Sequence, residues 1–222
     1  MGSAYTKGKV SIHNNAIETS KYEFSPKKNE IYRNEFKIPK DAFVIGHVGR
    51  IGNQKNQIRL INIFNEIYKK ETNSYLILIG SEDQEKDVLA VQEMIKVLNL
   101  TEHILLLGIR NDVPELLNMM DVFVFPSKYE GLPFTLIETQ CNGLMAISSD
   151  AVTSQVKVSN CVEFLSLDET NEKWASTALA LRKKNHLKDA RQDVIKAGYD
   201  IDVESAHLKE YYLSLKLKRK SV

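Results

Sequence analysis

Apolar runs of strand length alternate with segments whose apolar residues recur at helical spacing through the middle of the chain. Phe43 to Val48 (FVIGHV) carries no acidic, Lys or Arg residue and reads as a buried strand. Over residues 55–70, Ile58, Ile61, Phe64, Ile67 and Tyr68 fall on one helical face. Tyr75 to Ile79 (YLILI) is a second buried strand, ended by Gly80. Residues 84–99 form a helix pattern with Val88, Val91, Ile95 and Leu98 inward, and His103 to Leu107 is a third strand. Asn111 or Asp112 suits the cap of a short helix carrying Val113, Leu116 and Leu117. Val122 to Phe125 is a strand ended by Pro126, residues 134–142 suit a helix, and Leu144 to Ser148 suit another strand. Near-continuous apolar strands alternating with amphipathic helices imply a mostly parallel sheet covered on both faces. The expected class is α/β: a Rossmann-like, doubly wound sheet with a helical C-terminal extension.

That extension begins after residue 168, where the pattern is helical through Trp174, Leu179, Leu181, Val194, Ile195, Leu208, Tyr211 and Leu215. Residues 18–40 differ: they are polar, Lys-rich and broken by Pro26 and Pro39, and read as a loop with one helix near Asn29 to Phe36. The expected division is a junction over 1–40, a nucleotide-fold domain over 41–168, and helices packed on it over 169–222. The tail from Lys216 to Lys220 carries four basic residues. A solvated, frayed end explains it; weak attraction to an anionic membrane surface is the sharper alternative.

Composition narrows the class without choosing a chemistry. Of the 222 residues 43% are hydrophobic and 27% charged, as in an ordinary soluble domain. A net charge of +1 gives no global field directed at nucleic acid. Cys141 and Cys161 make no disulfide framework and have no Cys or His at metal-ligand spacing, so both read as small core residues of a protein in a reducing compartment. No stretch approaches the roughly 20 apolar residues that span a bilayer, and Met1 to Lys7 is too polar for a signal peptide. A cytoplasmic location is expected. His47, inside a strand, reads as a hydrogen-bonded core or cleft-edge residue; His186 and His207 read as surface positions on helices. Trp174, Tyr211 and Tyr212 read as helix-packing aromatics.

Two stretches concentrate candidate chemistry. Gly49-Arg50-Ile51-Gly52-Asn53-Gln54-Lys55 lies between a strand and a helix, where doubly wound sheets bind ligands. Its glycines admit close backbone approach, Arg50 and Lys55 supply positive charge, and the next helix offers its N-terminal NH groups, a set that suits a pyrophosphate. It is neither a dinucleotide fingerprint nor a P-loop, and an ordinary glycine turn with two solvated cations fits equally. The second stretch is Glu130-Gly131-Leu132-Pro133-Phe134-Thr135-Leu136-Ile137-Glu138. Pro133 suits the first turn of a helix, with Glu130 on the loop before it and Glu138 about one turn inside, both facing one cleft. A carboxylate accepts two hydroxyl hydrogen bonds, as a ribose diol or sugar ring offers, and one near a helix N-terminus gains from the dipole. A capping carboxylate beside a solvated one is the plainer account of the spacing.

In order along the chain, Val48-Gly49-Arg50 with Lys55, the strand Leu76 to Gly80, Leu105-Leu106-Leu107-Gly108, Asp121 to Ser127, the Glu130–Glu138 pair and Cys141-Asn142-Gly143-Leu144 leading to Ser148 resemble the C-terminal domain of the large retaining glycosyltransferase family 4, of GT-B fold. The resemblance covers roughly residues 41–168 and extends to the helices beyond, and it implies a domain that binds a nucleotide-sugar donor. It places Arg50 and Lys55, beside Gly49, at the donor diphosphate and Glu138 on the ribose hydroxyls. Glu130 falls on the donor sugar, and the backbone of Gly131, Leu132 and Pro133 near sugar and phosphate. The base falls near Gly108, Ile109 and Arg110. It implies no metal and, by family frequency alone, a UDP-linked donor. Arg50, Lys55 and helix N-termini would stabilise charge developing on the leaving diphosphate; Glu130 is assigned to orienting the donor sugar.

Such an enzyme has a second, N-terminal domain that carries the acceptor site, and residues 1–40 cannot form it. Lys9 to Ile17 resembles the interdomain junction, so the chain is expected to be inactive alone. Two departures matter. Ala151 to Val156 replaces a glycine-rich turn and glutamate common in the family. The helix over residues 203–217, which in GT-B enzymes often crosses to the other domain, is expected to expose an apolar stripe here. A nucleotide-sugar-binding subunit of a split enzyme is the alternative function. A signalling receiver is disfavoured, because glycines, Arg50 and Glu130 stand where its acidic cluster would be.

Overall fold

The computed structural model describes residues 13–184 and 186–219, with side chains of the last helix described to Leu215. Residues 1–12, 185 and 220–222 lie outside that set, and with them Lys9 to Ile12 of the expected interdomain segment and, with the side chains beyond Leu215, the basic tail. Six strands form one sheet in the order β3-β2-β1-β4-β5-β6, and every pairing is parallel. They are β1 Phe43–Val48, β2 Ser74–Ile79, β3 Ile104–Leu106, β4 Val122–Phe125, β5 Met145–Ser149 and β6 Val162–Leu165. The helices are α1 Pro26–Glu35, α2 Gln57–Tyr68, α3 Glu85–Val97, α4 Val113–Leu116, α5 Phe134–Cys141, α6 Asn171–Leu181, α7 Ala190–Lys196 and α8 Ile201–Arg219.

The two faces of the sheet explain the apolar runs. Ile45, Leu76, Leu78, Val122, Val124 and Ile147 point into a core built with Phe64 of α2, Val91 of α3 and Trp174 of α6. Their neighbours Val44, Ile77, Ile79, Phe123, Phe125 and Ala146 point into a second core with Leu136 and Ile137 of α5 and Val194 of α7. Side chains alternate along a strand, so a strand apolar at every position must be covered on both sides.

The helix starts carry local signals. Ser25 caps α1 by accepting from the Lys28 NH at 3.4 Å, with Pro26 at the first helical position. The helix therefore starts three residues before the expected Asn29. Thr170 caps α6 by accepting from the Lys173 NH. Pro133 is a correction: it stands at the N-cap of α5, with extended backbone, and the helix begins at Phe134. Strand β6 has no counterpart among the expected elements. It is a four-residue edge strand, half-exposed beyond Val162, and carries Glu163, so its pattern lacks the continuous apolar character of the inner strands.

Both cysteines are buried and free, and burial pushes the Cys141 thiol up to about 12. Trp174 is fully buried, and its indole NH donates to the Ser166 carbonyl. His186 corrects the surface expectation: it lies between α6 and α7, and its ring stacks on Phe24 with centroids 3.7 Å apart. Burial, against a contact to the Asn142 carbonyl, lowers its pKa. His207 is exposed on α8 beside Glu204. Tyr212 is no packing residue: it is exposed, as are Ile201, Val203, Leu208, Leu213 and Leu215 of the same helix, so the expected apolar stripe is present. No helix of the described residues is long and apolar enough to cross a membrane.

Candidate functional site

The strand order reverses between β1 and β4, which lie side by side. A crevice opens beyond the carboxyl ends of strands at such a switch point. The loops that follow these strands, residues 49–56 and 126–133, hold the first candidate stretch and the start of the second, which continues into α5 as far as Glu138.

The two loops are laced together. The Lys128 NH donates to the Gln54 carbonyl at 2.8 Å, and the Gln54 side-chain amide donates to the Tyr129 carbonyl at 3.0 Å. The Asn56 side-chain amide donates to the Pro126 carbonyl at 3.1 Å, and Lys128 Nζ donates to Asn53 Oδ1. At the centre Lys55 Nζ donates to Glu130 Oε1 at 2.8 Å, while the same ammonium sits 4.6 Å from the Phe125 ring centroid. The pair is 18% and 9% exposed, so water screens it poorly. Arg50 is exposed and, among the described residues, makes no ion pair through its guanidinium. Beside it lies a cleft of about 550 Å³ lined by Arg50, Lys55, Ser81, Asp83, Gln84 and Tyr129.

The small residues of the first loop serve packing as well as access. A Cβ on Gly49 would come within 2.9 Å of the Lys55 side chain, so glycine there lets the lysine fold back over the strand end. Gly80 has φ +150°, and a Cβ on it would lie 2.2 Å from the Gly49 carbonyl oxygen. The ends of β1 and β2 can therefore approach this closely only through glycine.

Beneath the loop lies a polar relay that the sequence does not display. Gln57, buried at the start of α2, accepts from the Gly52 NH at 3.1 Å and donates to the Arg50 carbonyl at 3.0 Å. His47, fully buried, is held through Nδ1 by the Val124 carbonyl at 2.9 Å, and its Nε2 lies 3.4 Å from the Gln57 amide nitrogen. Burial, opposed by the Val124 contact and reinforced by the Lys55 charge, lowers its pKa to about 4. The ring is thus neutral, with the proton on Nδ1 and the Nε2 lone pair turned to Gln57.

Glu138 stands apart from the Lys55–Glu130 pair in its contacts. It is half-buried on α5, and Oε1 accepts from the Tyr22 hydroxyl at 2.8 Å. Burial raises its pKa, with the Tyr22 hydrogen bond opposing. Desolvation of the carboxylate is the larger of the two causes. The loop after β3 is bound to the sheet through the Gly80 NH, which donates to the Gly108 carbonyl at 2.8 Å. Ile109 is 74% exposed. Arg110 is turned to Asp112, contacting both carboxylate oxygens at 2.8 and 2.7 Å, and lies over Phe36. Gly131 is exposed, Leu132 half-buried and Pro133 buried. The structure thus joins Lys55 to Glu130 and sets Arg50 on the same cleft, while Glu138 and Arg110 each have a different protein partner. Tyr22, Gln57 and Tyr129 went unseen in the sequence. Tyr22 lies 116 residues from Glu138, and no spacing rule connects them.

A parallel sheet of this order, with helices packed on both faces, defines a domain of the Rossmann-like α/β class. The family model for glycosyl transferases group 1 matches residues 28–200, and the chain belongs to that family. It is 34% identical over 168 residues to EpsF of Bacillus subtilis (strain 168), a match covering 73% of this chain and 42% of EpsF. The chain spans about half the length of that relative. Among solved structures it resembles Anabaena Alr3699/HepE in complex with UDP-glucose, with a TM-score of 0.78 at 18% identity over 92% of this chain and 57% of that one. It also resembles the C-terminal domain of the group 1 glycosyl transferase LpcC from Francisella tularensis, with a TM-score of 0.66 at 17% identity over 84% of this chain and all of that one. At these identities the two structural likenesses are likenesses of fold.

Proposed function

We propose that this chain is the donor-binding, C-terminal half of a retaining GT-B glycosyltransferase of family 4, taking a UDP-sugar and passing the sugar to a saccharide or lipid-linked acceptor held by an N-terminal domain. The observation that carries the reading is the Lys55–Glu130 ion pair bridging the β1 and β4 loops at the switch point, beside an unpaired Arg50. A sugar diphosphate presents hydroxyl donors next to an anion, and this arrangement presents a carboxylate next to two cations. HepE, a fold neighbour, binds UDP and glucose in one of its structures, which supports the choice of donor.

In this reading Arg50 and Lys55 meet the diphosphate, and Glu130 orients the donor sugar through its hydroxyls. The backbone of residues 131–133 lies along sugar and phosphate, Glu138 accepts the ribose hydroxyls, and the base rests on the loop over residues 108–110. As the glycosidic bond breaks, negative charge grows on the leaving diphosphate, and preorganised cations in a partly dry cleft stabilise it. The Gln57–His47 relay holds the Arg50–Gly52 backbone in place before the donor arrives. Titration calorimetry of the chain with UDP, GDP and ADP, in wild type and Glu138→Ala, tests the reading. Saturable binding of UDP, weakened by the substitution, is expected. Failure of all three to bind at millimolar concentration sinks it.

A further inference from the structure

Tyr22 reaches Glu138 from a segment ahead of the sheet, its hydroxyl donating to Oε1 at 2.8 Å. Tyr22 ends a short 3-10 helix, Thr19–Tyr22, on the segment leading into α1. That segment is fastened on both sides. Ile17 pairs in parallel with Asp200, with the Ile17 NH donating to the Tyr199 carbonyl and the Ile201 NH donating to the Ile17 carbonyl, each at 2.9 Å. Buried Thr19 donates its hydroxyl to the Asp200 carboxylate. From α5's end, the Asn142 side-chain amide donates to the Tyr22 carbonyl at 3.0 Å, and the Cys141 thiol faces the Thr19 carbonyl at 3.4 Å. The Ser25 NH donates to Asn118 Oδ1 at 2.6 Å. The Tyr22 ring is therefore held against α5 by main-chain contacts on either side of it, and its hydroxyl arrives at Glu138 preplaced.

A carboxylate on a flexible three-torsion side chain loses rotamer freedom when it grips a ligand. One already gripped at Oε1 has lost that freedom and still has lone pairs for a diol. From this geometry, and resting on the donor-site reading above, we propose that Tyr22 is a positioning residue. It holds the Glu138 carboxylate in the single orientation that accepts both ribose hydroxyls, and so sets the preference for ribonucleotide over deoxyribonucleotide donors. The strap over residues 13–25 thereby becomes part of the donor site, and it also ties that site to the start of α8. The charged and titratable groups around the contact are few. Burial, and after it Glu138, Cys141 and Glu115, raises the pKa of the Tyr22 hydroxyl, so it remains a neutral donor. At Glu138 the Tyr22 bond opposes the upward push of burial.

The test compares UDP with 2′-deoxy-UDP by calorimetry on the full chain in wild type, Tyr22→Phe and Glu138→Ala. Phenylalanine keeps the ring and removes only the hydroxyl. A hydrogen bond to a charged group corresponds to about a tenfold effect. Tyr22→Phe should weaken UDP by about that factor and 2′-deoxy-UDP by less, which narrows the preference; damage to the fold alone would weaken both equally. Binding needs the ionised carboxylate and is lost as pH falls through the Glu138 pKa, so in Tyr22→Phe, where the opposing bond is gone, the loss should begin at higher pH. If Glu138→Ala weakens UDP while Tyr22→Phe leaves the preference and the pH profile as in wild type, the positioning role is overturned and the donor reading stands. If wild type binds no UDP, or Glu138→Ala binds it unchanged, the donor reading falls and the role of Tyr22 falls with it.

Discussion

The two ends of the sheet each carry an ion pair, and the pairs are built differently. At the amino ends of the strands, Arg33 of α1 is 5% exposed and contacts both Asp121 oxygens at 3.0 Å. The same guanidinium donates to the Lys40 and Ala42 carbonyls, and Asp121 also accepts from the Val44 NH at 2.7 Å. Nearly every donor and acceptor is used, and the pair clamps α1 to the foot of β1 and β4. At the carboxyl ends, Lys55 and Glu130 share one hydrogen bond and have polar capacity left over, with unpaired Arg50 alongside. The first pair, with only the Arg33 Nε left without a partner, holds the fold. An unsaturated one, partly dry and facing a cleft, can exchange its partner for a ligand.

The sharpest way to break this contrast is to cut each pair. Removing one member of a buried pair strands the other charge, so Arg33→Met should cost about 3 kcal/mol or more, read as a lower urea midpoint. Lys55→Met removes a single charge-assisted hydrogen bond where Arg33→Met removes a whole fork, and should cost less, about 2 kcal/mol. For UDP binding the order should reverse: Lys55→Met lowers affinity tenfold or more, while Arg33→Met, assayed where it remains folded, leaves it unchanged. Equal stability losses would erase the distinction between clamp and site.

Smaller effects sharpen it further. His47 is neutral in the folded state with its pKa lowered to about 4 from an ordinary 6.5. The unfolded chain takes up this proton first, so stability present above pH 6.5 is lost as pH falls toward 4. A His47→Asn variant should show a shallower decline over that window in urea titrations. Glu138 has the opposite sense: its folded pKa is raised by burial, so its charge lowers stability once pH rises above the ordinary carboxyl range. Glu138→Gln, which keeps an acceptor for Tyr22, should raise stability at pH 7 by about 0.5–1 kcal/mol while weakening nucleotide binding, as sites built for ligands often do. The least effect on the domain itself belongs to Tyr212→Asp on α8. It should leave the urea midpoint in place and reduce any concentration-dependent self-association seen by sedimentation.

How far the sequence could be read followed the type of interaction. Strand β1 matches its expected bounds, and β2 to β5 fall within a residue of theirs, because a buried strand must be apolar on both faces and that leaves an unbroken run. Strand β6 escaped because it is short and half-exposed, and its alternation around Glu163 resembles a loop. His186 was misplaced because its burial comes from Phe24, far off in sequence, and not from any local periodicity. The candidate stretches were legible as loops between strand and helix. Their partners were not: the Lys55–Glu130 bond spans 75 residues and the Tyr22–Glu138 bond 116.

By itself, then, the sequence determined the α/β class, the doubly wound alternation and the loops that carry the candidate residues, since burial and backbone geometry act over a few neighbouring positions and leave periodic marks. Only the tertiary structure decided which charges pair, that His47 and Gln57 support the first loop, that Arg110 belongs to Asp112, and that a tyrosine ahead of the sheet holds a glutamate on α5. Those outcomes depend on which strand ends the parallel crossovers bring side by side and on which donors burial leaves without water, and neither is recorded in local spacing.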